Sequence, residues 1–187
     1  MRLLNLRLEN VKSYRDASIA FSDGVNAICG RNGAGKSTIL EAVGFALFDF
    51  LPVSQKEFVR DGQKAATVSL DIEHDGQTYT IERSCGTSSC YVVTSGGKEI
   101  ASGKADVLAF LSSLHGTDDV QAVFRDAVGV PQGTLTSAFL ETPANRKRIF
   151  SSIIKVDEYE RAWSCLLYTS DAADELDGVD LGGRRII

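Results

Sequence analysis

Nowhere in the 187 residues does an apolar run approach the roughly 20 residues that cross a bilayer, so the sequence offers no anchor and predicts no membrane partner. Nor is there a secretory leader. MRLLNLRLENVKSY alternates polar and apolar residues, a strand pattern, where a leader would carry an unbroken apolar segment. Both features point to the cytoplasm. Cysteine is sparse. Of the four, Cys85 and Cys90 have four residues between them, whereas zinc and redox pairs usually leave about two. They read as ordinary strand-edge thiols, and Cys29 as a core residue. The two histidines, His74 in a turn and His115 at a helix end, read as solvated side chains rather than acid–base catalysts. Positive charge is not in excess either: the net charge of −5 leaves no electrostatic footprint for nucleic acid, and any such contact needs a local patch.

What is present starts with GRNGAGKST at residues 30–38. Gly30, Gly35, Lys36 and Ser37 satisfy G-x-x-x-x-G-K-[ST]. Before them, Val25, Ala27, Ile28 and Cys29 form an apolar run suited to a buried strand; after them, Ile39, Leu40, Val43, Ala46 and Leu47 recur at helical spacing. Strand, loop and helix aim backbone N–H groups and a helix N-terminus at one anion. Lys36 is placed to neutralise β- and γ-phosphates and Ser37 to hold Mg²⁺, while Gly33 and Gly35 let backbone approach phosphate where a Cβ would obstruct it. The expectation is a nucleotide site.

Hydrophobic content of 43% is enough for one domain with a real core. Residues 2–9, 17–21 and 25–29 read as strands, and a helix is expected from about Lys36 to Phe48, stopping near Pro52. Residues 67–73 and 78–83 alternate around HDGQ, a hairpin signal because Asp-Gly supplies positive-φ residues. CYVVT and KEI extend that antiparallel sheet, and ADVLAFLSSL and DDVQAVFRDAV read as helices. Thr142 caps a last helix with Pro143 at its first position, and Ile149, Phe150, Ile153 and Ile154 form its buried stripe. Arg146, Lys147 and Arg148 read as a solvated face that could contact phosphate.

The pieces LRLENVKSYRD, GRNGAGKSTILEAVGFALF, VPQGTLTSAFLETPANRKRIF and KVDEYERAW, in this order, resemble the N-terminal lobe of an ATPase head of the SMC/SbcC type over nearly all of residues 1–164. KSY with such a loop occurs across the wider superfamily, whereas PQG, TPANRKRIF and VDEY resemble the SbcC branch. The resemblance implies an α/β fold: the N-terminal lobe of a P-loop ABC-type ATPase head, with a P-loop core, an antiparallel β subdomain and helices. It implies ATP and Mg²⁺ as cofactors. As partners it implies the C-terminal lobe of the same full-length chain, a second head in a head-to-head homodimer, a metallophosphatase-fold nuclease subunit, and DNA undergoing double-strand-break repair. By the same resemblance, Lys12, where the family often has arginine, lies near the phosphates, and Asn32, Gly33, Ala34, Gly35, Lys36, Ser37 and Thr38 wrap the triphosphate. Val59, Arg60 and Asp61 fall where the family's chain passes the adenine. Gln132 resembles the Q-loop glutamine that reaches Mg²⁺ and the attacking water; the alternative is a residue satisfying backbone in a Pro-Gly turn. Two other readings stay open, a DNA-tethering SMC-like ATPase and a binding-only nucleotide switch.

Hydrolysis also needs an apolar strand ending in acids. SIIKVDE imitates one, but Lys155 interrupts its apolar run and Pro143 opens a helix just before it. The signature serine motif, the coiled coil and the zinc hook of the resembled family are not present in the sequence, so the fragment is expected to bind nucleotide weakly and hydrolyse almost none alone. After Ser164 the character changes abruptly, and CLLYTSDAADELDGVDLGGRRII has no periodicity. Residues 165–187 read as a translated transposase-type sequencing adapter: TGT-CTC-TTA-TAC-ACA-TCT-GAC-GCT-GCC-GAC encodes Cys165 through Asp174. The expectation is therefore a lobe over 1–164 and a tail outside it.

Overall fold

Strict alternation builds the centre of the structure. In β3 (Ala65–His74), Ala66, Val68, Leu70 and Ile72 are buried and their neighbours are not, the period-2 pattern of a sheet with one covered face. The same inward register is kept by Leu6 and Leu8 of β1 (Arg2–Val11), Ile81 of β4 (Gln77–Gly86) and Val93 of β5 (Tyr91–Ser95). With β2 (Tyr14–Ala20) and β6 (Lys98–Ser102) they form one six-stranded sheet, ordered β2-β1-β3-β4-β5-β6 and antiparallel throughout. The β3–β4 hairpin closes as the sequence predicts: Asp75 and Gly76 take φ 50° and 75°.

This computed structural model describes residues 1–87, 89–117, 119–129, 140–154, 156, 159 and 161–167. Four helices and a π-helical turn complete it before residue 130: α1 (Lys36–Phe48), α2 (Gln55–Phe58), α3 (Lys104–His115), α4 (Val120–Val123) and the turn Phe124–Val128. A further helix, α5, is Pro143–Ile154, and residues 161–167 after it are helical as well. Its expected cap is there, with the Asn145 N–H donating to Thr142 Oγ1 at 3.4 Å and the Arg146 N–H to Thr142 O at 2.8 Å. Of its expected apolar stripe, Phe150 is half-buried and the side chains of Ile149, Ile153 and Ile154 lie outside the described set.

Helix α1 lies on the covered face of the sheet, and from Ala42 to Phe48 every residue is buried. It ends where Asp49 turns left-handed (φ 51°) and the Phe50 N–H returns to Gly44 O at 3.1 Å. A buried arginine fixes that end. The fully enclosed Arg83 guanidinium of β4 lies between the Phe45 and Tyr91 rings, 4.5 and 4.4 Å from their centroids, and donates to Phe45 O and to the Asp49 carboxylate. Gln121 of α4 adds a bond to Asp49 O at 3.0 Å. Phe124 then packs on Phe48 and Phe50 beside Gly44, where a Cβ would lie 2.6 Å from its ring.

The structure corrects several expectations. Residues 25–29 form no strand: Val25 is 96% exposed, Ile28 is exposed and Cys29 is a surface residue rather than a core one. A buried strand needs both partner strands for its backbone and layers over its two faces, and no described strand pairs with this segment. Leu40, placed in the helix stripe, is exposed too. Cys85 is no edge thiol. It sits in the core on β4, and burial raises its pKa, as it does that of half-buried Cys90. Helix α2 was not expected; Ser54 and Glu57 form a capping box around its single turn.

Neither histidine is fully solvated. His74 ends β3 with its Nδ1 buried, and His115 lies 4.5 Å from the Phe48 ring with Nδ1 2.8 Å from Leu111 O. Burial lowers the His115 pKa, and the neighbouring His74 adds to the shift. The folded chain therefore holds this proton less well than the unfolded chain. The associated stability is complete above the unfolded pKa of about 6.5 and is lost as pH falls below it toward the folded value. Thermal melts at pH 8 and pH 5.5 should show a drop that His115→Phe, which keeps a ring on Phe48, reduces. An equal drop in the variant would contradict the assignment.

Candidate phosphate-binding site

The loop 30–35 leads into α1 through Gly35, which takes φ 89° as the residue before the first helical turn. A Cβ there would lie 2.7 Å from Ser13 Oγ and 2.9 Å from the Tyr14 ring, so only glycine permits both the conformation and the approach of the opposite wall. That wall is the two-residue turn Lys12–Ser13 between β1 and β2. It is held firmly. Lys12 has φ 44°, its N–H donates to Phe58 O at 2.9 Å, and Arg60 Nη1 donates to Ser13 O at 2.8 Å and Lys12 O at 3.3 Å. Tyr14 Oη donates to Gly35 O at 3.3 Å across the gap.

Between loop and turn lies a hollow of about 440 Å³ lined by Lys12, Ser13, Asn32, Gly33, Gly35, Lys36, Ser37, Thr38 and Glu41. Lys36 Nζ donates to Gly30 O and Arg31 O, each at 2.8 Å, which wraps the loop around its own lysine. The first turn of α1 contributes Lys36, Ser37 and Thr38, so a helix N-terminus and a hydroxyl face the hollow together with two ammonium groups. Such an arrangement can hold a polyanion, and Ser37 offers one oxygen to a divalent cation. Among the described residues no group of three or more His, Cys, Asp or Glu is placed to hold a metal by itself.

Seven residues expected around the phosphates thus meet in one place: Lys12, Asn32, Gly33, Gly35, Lys36, Ser37 and Thr38. Ala34 is on the loop and exposed, but it is not part of the lining. Val59, Arg60 and Asp61 line a second hollow of about 410 Å³ with Gln55, Lys56, Gly62, Lys64 and Gly86. The Val59 side chain is buried and its backbone bridges Val11, while the Arg60 guanidinium supports the Lys12–Ser13 turn. Gln132 lies outside the described residues, as does most of the 165–187 tail; residues 165–167 are exposed. Sequence reasoning missed Glu41, the acid facing the hollow. Its signal was available, since Ser37 and Glu41 stand four apart on one helix and share a face.

A family model described as an AAA domain matches residues 5–166. The chain belongs to this AAA domain family. This AAA domain is 34% identical over 170 residues to the DNA double-strand break repair Rad50 ATPase of Archaeoglobus fulgidus, an alignment covering 88% of the chain and 18% of that relative. With the Rad50 ATPase of Thermoplasma acidophilum it shares 31% over 177 residues, covering 91% and 19%. It thus spans about a fifth of the length of the curated relatives it matches. Among solved structures it is similar to the recombination mediator protein RecF with ATP, at a TM-score of 0.53 and 19% identity, covering 96% of this chain and 47% of that one. That likeness concerns the fold alone. No described helix is long and apolar enough to cross a membrane.

Proposed function

We propose that this AAA domain is the ATP-binding lobe of an SbcC/Rad50-like repair ATPase, in which ATP binding and hydrolysis govern DNA binding and a nuclease subunit. The observation that carries the reading is the hollow between the glycine loop and the Lys12–Ser13 turn, where Lys12, Lys36, Ser37 and the α1 N-terminus face one volume. Lys36 and Lys12 neutralise the phosphates, the Ser37 hydroxyl ligates Mg²⁺, and Gln132 is the Mg²⁺-contacting residue that orients water. When bound there, Mg²⁺ would supply charge neutralisation to the phosphates. The second hollow, beside Val59, Arg60 and Asp61, takes the adenine side of the nucleotide.

The exposed apolar stretch 25–29 supports a partner lobe. Val25 and Ile28 face solvent immediately before the loop, and strands from the rest of a full-length chain would cover them. In that assembly two heads close as a homodimer around ATP, next to a metallophosphatase-fold nuclease and DNA in the cytoplasm. The relatives' role in double-strand-break repair supports the same reading. Titrating the chain with a fluorescent ATP analogue tests it. Saturable, Mg²⁺-dependent binding displaced by ATP and ADP is expected; a folded chain that shows no saturable binding would overturn the assignment.

A further inference from the structure

We propose that Glu41 is a charge latch on the phosphate pocket, holding Lys12 in an ion pair that an incoming polyphosphate must break. The inference rests on reading the hollow as a triphosphate site and adds how that site weighs its ligands. Glu41 Oε2 accepts directly from Lys12 Nζ, and the two side chains are only 17% and 25% exposed. Both line the hollow that Lys36 and Ser37 face.

The two ends of the pair cannot drift. Glu41 stands on the second turn of α1, and the Lys12 backbone is fixed by Phe58 O and by Arg60. Only the Lys12 side chain is left to choose between carboxylate and phosphate. The other cation differs: Lys36 is bonded to two neutral carbonyls, which give up an ammonium at less cost than a full negative charge does. Once Lys12 has moved, Glu41 remains as an unpaired carboxylate lining a pocket that holds several more negative charges. Glu41 thus opposes binding twice, by retaining Lys12 and by repelling the ligand. Only a ligand of high charge overcomes both, so the latch favours longer phosphate chains over monophosphates.

Nucleotide titrations of the 187-residue chain test this with Glu41→Gln, which keeps the shape and removes the charge. The expected result is MgATP affinity raised by roughly tenfold, on the scale of one screened charge close to a polyanion. The gain should be smaller for MgADP, near zero for AMP, and reduced by added salt. It should also shrink in a Lys12→Ala background, where no latch is left to release. Glu41→Ala serves as a second variant, and thermal melts establish that each is folded. A purely structural Glu41 would change melting without grading the gain by phosphate number. Weaker or unchanged ATP binding in folded Glu41→Gln, with Lys36→Ala still strongly weakening binding, would overturn the latch and leave the pocket reading intact. MgATP affinity left unchanged by Lys36→Ala would overturn the pocket reading itself, and the latch with it.

Discussion

Arg83→Ala is expected to cost about 3–5 kcal/mol, the range for removing one partner of a buried ion pair, and to leave much of the chain unfolded at 25 °C. Three losses coincide. The Asp49 carboxylate loses its cation while only 15% exposed, Phe45 O at the end of α1 loses a donor, and the slot between the Phe45 and Tyr91 rings becomes a cavity. Arg83→Lys should recover only part, because an ammonium cannot lie flat between two rings while reaching both acceptors. Asp49→Asn should be milder, since Asn keeps a carbonyl for Arg83 and tolerates the left-handed conformation of Asp49. Urea denaturation followed by circular dichroism reads all three. An Arg83→Ala midpoint close to that of the parent would contradict the picture of α1 pinned through this residue.

Lys36→Ala is expected to weaken MgATP binding roughly a hundredfold, the equivalent of one or two charge-assisted hydrogen bonds at about 1.5–3 kcal/mol each. Melting should change little. In the fold Lys36 Nζ donates to Gly30 O and Arg31 O on an exposed loop, where water replaces it readily. Loss of affinity without loss of stability separates a ligand-binding lysine from a structural one. Comparable losses in both would make Lys36 a loop staple, and the phosphate role would fail.

The antiparallel sheet and α1 were legible because their signals are local. Alternation in β3 and β4 and the Asp75-Gly76 turn specify pairing between chain neighbours, so their register follows from short-range chemistry, whereas the pairing of β1 with β3 is set by the tertiary structure. The expectation failed at residues 25–29 for the opposite reason. An apolar run states that a segment is buried, but not by which strands, and none of the described strands lies beside it. Arg83 was illegible because a charged residue in an alternating strand reads as surface; its burial depends on Asp49, Phe45 and Tyr91, distant in sequence and placed only by the fold. For Glu41 the helix face shared with Ser37 was legible but its pairing was not, since its partner Lys12 stands on a turn between two strands that only the tertiary structure brings to α1. His115 is similar: a helix-end histidine looks solvated until Phe48 arrives from another helix.

Amide chemical-shift mapping of the ¹⁵N-labelled chain during a MgATP titration tests the central claim most directly. The account predicts that the largest shifts fall on the turn Lys12–Ser13 and on Asn32 to Thr38, extend to Glu41 and to residues 59–61, and leave the β5–β6 edge unmoved. Shifts confined to the β5–β6 edge or to α5, with the glycine loop silent, would contradict it.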